Sequence, residues 1–217
     1  MKISIKKLTT FAMLAAVAYI LVLLIRIPVV PLLPFLNYEP KDVVITIGGF
    51  LFGPLSAFLT SLVVSLVEMV TISNTGPIGA LMNLLSTCSF ACTAAFIYKH
   101  KRNLTGAILG LVIGSVFMVA VMLLWNWLIT PLYMEATREA VEALLLPGFL
   151  PFNLLKAGLN SVFTMLLYKP LVNTLRKAGL LESRPGAQKT SLLGMYLFIG
   201  ALLITCILLI LVVQGIL

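Results

Sequence analysis

Pro147-Gly148-Phe149-Leu150-Pro151-Phe152-Asn153-Leu154-Leu155-Lys156-Ala157-Gly158 is the stretch on which the reading of this chain turns. It is nearly all hydrocarbon, yet it carries an ammonium group in its second half. Placing a lysine at membrane depth costs about 3 kcal/mol or more unless the group pairs, snorkels or meets water. Asn153 lies three residues before Lys156, so a helix puts both on one face. A lysine near a helix end that simply snorkels outward is the bland alternative. The shared face with Asn153 favours a polar pocket inside a membrane helix bundle. Replacing a buried cation is then expected to relieve a desolvation cost, leaving folding little harmed.

Of the 217 residues, 61% are hydrophobic and only 10% are charged, and the mean hydropathy is +1.13. Soluble domains carry about 25% charged residues. The composition therefore predicts an all-α integral membrane protein with no separate soluble domain. Apolar windows of about 20 residues, enough to cross a bilayer, recur along the chain. The net charge of +8 would suit nucleic acid, but its distribution does not. The basic residues fall in three clusters that flank apolar segments: Lys2, Lys6 and Lys7; Lys99, Lys101 and Arg102; and Lys169, Arg176, Lys177, Arg184 and Lys189. That pattern assigns all three clusters, and the N-terminus, to the cytoplasm. Glu39, Asp42, Glu135, Glu139 and Glu142 fall in the other loops. No cleavable signal peptide is expected, because the first apolar segment is long and lacks a small-residue cleavage site.

Seven helices follow from the apolar segments. The first covers 8–26 and ends at Arg26. Residues 27–42 hold four prolines and cannot form a helix interior. They are expected to form an extended outer loop, long enough to fold over a site, with Asp42 as N-cap of the next helix. Segment 43–52 is too short to span alone and is tolerable only if neighbours bury it. Gly53-Pro54 makes a tight inner turn into 55–72, and Ser73–Pro77 an outer one. Helices are expected over 78–98, 104–131, 149–176 and 191–214, with 132–147 a polar outer loop and 177–190 a basic linker. Residues 1–177 then form the main bundle, and 178–217 the linker and an additional helix. No internal repeat is visible to support an inverted-repeat transporter.

Catalytic chemistry has few candidates. His100, the single histidine, lies in a basic loop. There is no phosphate-binding Walker loop. Three cysteines do not make a disulfide framework, and Cys88 and Cys92 read as packing residues. No enzyme activity, metal or cofactor is expected. The intramembrane polar residues say more. Glu68, Asn83, Asn126, Asn153 and Lys156 each lie toward the outer end of a predicted helix, and Asn37 lies in the proline-rich loop. Singly, each asparagine reads as an interhelical hydrogen bond. Together they suggest one cavity open to the outside. An asparagine offers both donor and acceptor, which suits a ring edge of alternating C=O and N–H, and a lysine suits carbonyl or hydroxyl oxygens. Phe35, Tyr38, Trp125, Trp127, Phe149 and Phe152 are expected to flank a flat ring. The expected ligand is small, partly aromatic and rich in oxygen. In helix one, Ala12 and Ala16 form a small-xxx-small pair, among Ala15 and Ala18, that lets another helix approach closely.

These residues together resemble the substrate-binding S components of energy-coupling-factor (ECF) vitamin transporters, and most nearly their riboflavin-specific branch. The resemblance covers about residues 8–177. It rests on Phe-Gly-Pro (52–54), Gly-Pro-Ile-Gly-Ala-Leu-Met-Asn-Leu-Leu (76–85), Asn126 upstream of Pro-Leu-Tyr (131–133), Pro-Phe-Asn-Leu-Leu-Lys (151–156) and the alanines of helix one. It implies a six-helix S-component bundle that binds riboflavin near the outer face. It also implies a transmembrane coupling subunit, docked on the alanine face, and two ATPase subunits. By resemblance, Asn126, Asn153 and Lys156 match positions that contact the flavin, and Asn37 matches the lid. The seventh apolar helix departs from the family pattern, and the lid sequence Asn-Tyr-Glu-Pro-Lys-Asp is only loosely similar. An S component for thiamine or pantothenate, or a solitary small-molecule transporter, are the competing readings.

The charge asymmetry predicts that Lys99–Arg102 is cytoplasmic and Glu135–Glu142 external. Single cysteines placed in each loop of a variant lacking the native ones, probed with an impermeant thiol reagent on intact cells, should be labelled at 135–142 only. Labelling at 99–102 alone would overturn the helix count.

Overall fold

A computed structural model of the chain describes residues 5–33, 36–73, 75–179 and 192–216. Phe35, Lys2, Arg184 and Lys189 lie outside the described residues, as do the side chains of Lys6, Lys7, Lys169 and Arg176. Helix α1 (Ile5–Leu24) leads into a two-residue ribbon in which β1 (Ile27–Pro28) pairs antiparallel with β2 (Asn37–Tyr38). Then come α2 (Lys41–Phe52) and α3 (Pro54–Thr71), joined at Gly53. Gly53 has φ +101°, a backbone open to glycine and strained for other residues, and Pro54 starts the next helix in the position where its missing N–H costs nothing.

The next helix runs unbroken over Gly76–His100. It contains α4 (Gly76–Thr87), a π turn (Cys88–Cys92) and α5 (Thr93–His100). Helix α6 (Leu104–Leu128) is capped by Asn103, whose side chain accepts from the Gly106 N–H. Short helices α7 (Thr130–Met134) and α8 (Arg138–Leu144) and a π turn (Leu145–Phe149) lead into α9 (Leu150–Lys177). Helix α10 (Leu192–Val213) is the last helix among the described residues. Among the described residues, five helical units are long and apolar enough to cross a membrane, and their outer faces show lipid-compatible side chains such as Val70, Val116 and Leu193.

The all-α membrane class holds, and three local expectations are corrected. A small β ribbon organises the loop at 27–38. Residues 132–147 are largely helical, not an irregular loop. The 138–144 turn carries its own N-cap, Thr137, which accepts from Ala140 N–H. Asp42 is not an N-cap: α2 begins one residue earlier at Lys41, and the Asp42 carboxylate turns to other helices.

The short α2 is the centre of the bundle. Lys41 through Phe50 are all buried, enclosed by α1, α3, the π turn of 88–92, α5 and α9. A helix too short to span is thus kept from lipid on every side. Close approach of α6 to its neighbour is set by Gly110 and Gly114. A methyl group on either would lie 2.7 Å from a backbone carbonyl oxygen, Ala94 or Phe90 respectively. Backbone cannot yield as a side chain can. Gly114→Val should therefore lower stability by about 1–3 kcal/mol through overpacking, read as a lower thermal midpoint in detergent. An unchanged midpoint would show that α5 and α6 are not held at this spacing.

Candidate ligand-binding site

At the end of the bundle where the 27–38 loop sits, the helices enclose a cavity of about 380 Å³, within the range of about 300–1,000 Å³ common to small-molecule sites. Asn37, Glu68, Asn83, Asn126, Asn153 and Lys156 all line it. They come from β2, α3, α4, α6 and α9, so the fold brings together every polar residue that the sequence singled out. Arg26, Glu39, Ser86 and Thr75 add polar groups, and Leu36, Met82, Met122 and Phe152 add apolar wall.

The cavity rests on a charge network that the sequence reading missed. Lys41 is 1% exposed. Its ammonium donates to Glu68 Oε1 and Oε2 at 2.7 and 2.5 Å and stands 3.1 Å from Glu39 Oε2. Arg26 Nε donates to Glu39 Oε1 at 3.0 Å. On the next residue, Asp42 Oδ1 accepts from Thr87 Oγ1 at 2.7 Å, and Oδ2 accepts from Asn160 Nδ2 at 3.1 Å and lies 3.4 Å from Lys156 Nζ. Arg26, Lys41 and Lys156 thus face Glu39, Asp42 and Glu68, three cations against three carboxylates. Buried charges are tolerable when paired and hydrogen-bonded in this way.

That pairing corrects one expectation. Lys156 is not an isolated buried cation, so its removal does not simply relieve desolvation. It also takes the counter-charge from a fully buried carboxylate. Lys156 Nζ further donates to Ser86 Oγ at 3.2 Å. Both contacts are long beside the roughly 2.7–2.9 Å of a tight charge-assisted bond, so the ammonium is lightly held and turned to the cavity.

The asparagines are anchored in a way that leaves polar atoms for a ligand. Asn153 Nδ2 donates to the Phe149 carbonyl at 2.8 Å, one turn back on its own helix, and its Oδ1 accepts no hydrogen bond among the described residues. Asn126 is more fully used: Nδ2 donates to Met122 O at 2.7 Å and Oδ1 accepts from Thr130 Oγ1 at 2.9 Å. Asn83 Nδ2 donates to Glu68 Oε2 at 3.1 Å, which orients that carboxylate beside Lys41.

The expected aromatic walls are only partly there. Phe152 lines the cavity. Phe149 and Tyr38 are buried in an apolar cluster with Val29, Val30, Leu33 and Leu155. Trp127 points away: its indole N–H donates to Glu142 at 2.7 Å and Arg138 stacks on its ring. Trp125 packs against the main core. Helical spacing placed these rings near the right level but could not say which face each took.

Tyr38 has a different task. Its hydroxyl donates to Asn160 Oδ1 at 3.1 Å. Burial raises the phenol's pKa far above its usual value, and the nearby Asp42 carboxylate raises it further, so it stays a donor. Elsewhere, Ala12 and Ala16 sit on the outward face of α1, whereas Ala18 is buried. His100 is exposed at the C-terminal end of α5, not in a loop, and Cys92 Sγ lies 3.6 Å from the Pro54 carbonyl.

Comparison with known proteins places this geometry. A riboflavin transporter of Staphylococcus aureus (RibU) is 33% identical over 178 residues, covering 79% of this chain and 93% of that protein. Riboflavin transporters of Bacillus subtilis (FmnP) and Streptococcus thermophilus (RibU) are 26% and 30% identical, covering 80% and 79% of this chain and 97% and 85% of their own lengths. A solved structure described as the S component of a bacterial ECF transporter superposes with TM-score 0.66 at 33% identity, covering 79% of this chain and 98% of that one. The family of ECF transporter substrate-specific components matches residues 6–168. That span contains every residue lining the cavity and stops before α10. The chain belongs to the substrate-specific components of ECF transporters.

Proposed function

We propose that this protein is the riboflavin-binding S component of an ECF importer in a bacterial cell membrane. It captures the vitamin at the outer face and delivers it for uptake powered by two partner ATPases through a transmembrane coupling subunit. The convergence of six polar residues from five elements on one cavity carries this reading. Riboflavin presents a flat ring system with an edge of alternating C=O and N–H groups, and a polyhydroxylated chain. Asn153 Oδ1, the Lys156 ammonium and the Asn37 side chain offer the matching acceptor and donors. The relatives named for riboflavin support the choice of vitamin. The N-terminus lies in the cytoplasm, and the 27–38 loop lies outside as the lid.

The first test is spectroscopic. Protein purified in detergent from cells grown with riboflavin should carry yellow flavin absorbance, and fluorescence quenching should titrate a single site. A colourless protein that quenches no riboflavin would overturn the reading, including in favour of another vitamin.

Asn153→Ala should weaken riboflavin binding by about 1–3 kcal/mol, as one buried group loses its partner, or about 5- to 150-fold. Its thermal midpoint should change little, because only the bond to Phe149 is lost. Lys156→Ala should lose affinity over the same range. It should also melt earlier, because Asp42 is left without its counter-charge. Wild-type affinity in both variants would remove these residues from the site.

Docking is assigned to α1. Ala12→Trp or Ala16→Trp should block co-purification with the coupling subunit and leave riboflavin affinity intact, because both side chains face away from the cavity. Intact assembly with lost binding would sink this assignment.

A further inference from the structure

Behind the cavity wall runs a line of buried polar groups that do not touch the cavity. Tyr38 Oη donates to Asn160 Oδ1 at 3.1 Å, Asn160 Nδ2 donates to Asp42 Oδ2 at 3.1 Å, and that oxygen stands 3.4 Å from Lys156 Nζ. Tyr38 is 3% exposed, and Asn160 and Asp42 are 0% exposed. None of the three lines the cavity. The two ends of the line do meet the site. Tyr38 follows Asn37 in β2, and Lys156 enters the cavity from α9. We propose that Tyr38, Asn160 and Asp42 are positioning residues, which couple the seating of the 27–38 loop to the availability of the Lys156 ammonium for ligand.

Three side chains compete for the Asp42 carboxylate: Thr87, Asn160 and Lys156. Lys156 has three N–H groups, and its two partners hold it loosely at 3.2 and 3.4 Å. Asp42 would claim the ammonium more closely if it were its only donor. It is not, because Thr87 and Asn160 donate to the same carboxylate and spread its charge. The Asn160 amide is held at both ends: the Asp42 carboxylate, an acceptor only, takes Nδ2, and the Tyr38 hydroxyl pins the opposite end at Oδ1. When the loop is seated, Asp42 is satisfied by neutral donors and Lys156 is free to bond the ligand. When the loop lifts, Asn160 Oδ1 loses its donor, the amide is no longer pinned against Asp42, and the carboxylate draws Lys156 back. Ligand binding at Lys156 therefore favours the seated loop, and the seated loop favours binding, as reciprocal coupling requires.

Tyr38→Phe removes a single oxygen and keeps the ring in its seat beside Leu33, Leu36 and Val30. Riboflavin affinity would be measured by fluorescence quenching on the full chain as wild type, Tyr38→Phe, Lys156→Met and the double variant, each beside a thermal melt. Tyr38→Phe should bind about five-fold more weakly, the scale of one buried hydrogen bond. In the Lys156→Met background the same change should cost less than about two-fold, because the line no longer ends on an ammonium. A merely structural tyrosine would change affinity by the same factor in both backgrounds, and that result overturns the proposal. So does wild-type affinity in Tyr38→Phe alone, whether or not Lys156→Met folds. The inference rests on the riboflavin reading, and the two fail differently. Wild-type protein that binds no riboflavin overturns that reading and this coupling with it. Wild-type protein that binds, beside a Tyr38→Phe variant that binds equally well, overturns the coupling alone.

Discussion

Lys41 and Asp42 open α2 with opposite charges, each buried to within 1% of complete, and the bundle is arranged around satisfying them. Neither would stay charged in hydrocarbon alone. Lys41 draws Glu68 from α3 and Glu39 from the loop, and Asp42 draws Thr87 from α4 and Asn160 and Lys156 from α9. Two adjacent residues therefore fix the positions of three helices and one loop at the same end of the protein. A hydrophobic contact between membrane helices has no such authority, because lipid offers apolar side chains the same environment. The charge network supplies the directionality that apolar packing lacks, and the glycine contacts of α6 supply the close fit.

The cavity is what remains once those charges are paired. The site end of the bundle holds ionic and amide groups. The other end of α2 is closed by Phe50, tilted on Tyr98 at 4.5 Å and edge to face with Tyr168 at 5.9 Å, the two phenols joined at 2.8 Å. Polar side chains are thus segregated along the short helix, with a wet end and a sealed one. Asn153, Asn37 and Lys156 line the cavity at the polar end, so reaching them moves no group through the apolar half. That is an arrangement for capture, and it needs no catalytic group.

Much of this was legible in the sequence because a bilayer punishes polar residues. Lys156, Glu68, Asn83, Asn126 and Asn153 stood out against hydrocarbon, and their similar depth, with Asn37 in the outer loop, pointed to one cavity. The charged pair at the start of α2 was lost for the opposite reason. Lys41 and Asp42 follow a proline-rich segment that reads as solvated loop, where charge draws no attention, and Asp42 looks like an ordinary cap. Their burial comes from helices distant in sequence; Asn160 reaches Asp42 across 118 positions, and no local pattern encodes that. The two π turns were equally hidden. Leu145–Phe149 contains Pro147 and Gly148, which read as a break but here widen one turn and carry the helix on into α9. Aromatic residues were misassigned because periodicity gives the level of a ring along a helix and not its partner, as Trp127 shows by turning to Glu142.

Helix α9 has to serve two surfaces, and its sequence divides accordingly. Asn153 and Lys156 look into the cavity, while Gly158 meets α10 so closely that a methyl group there would lie 2.5 Å from Cys206 Sγ. Cys206 is buried in the same cluster as Val29, Val30, Leu33, Leu36 and Tyr38 from the loop. The helix that lies beyond the family match therefore does not hang from the bundle as an appendage. It closes the apolar seat in which the loop rests, while Asn160 and Asp42 close the polar one. Tyr38 joins the two seats, with its ring in the first and its hydroxyl in the second. The loop over the cavity is consequently held by an apolar contact that binds no ligand and by a hydrogen bond that ends, two residues later, on the lysine turned toward the cavity.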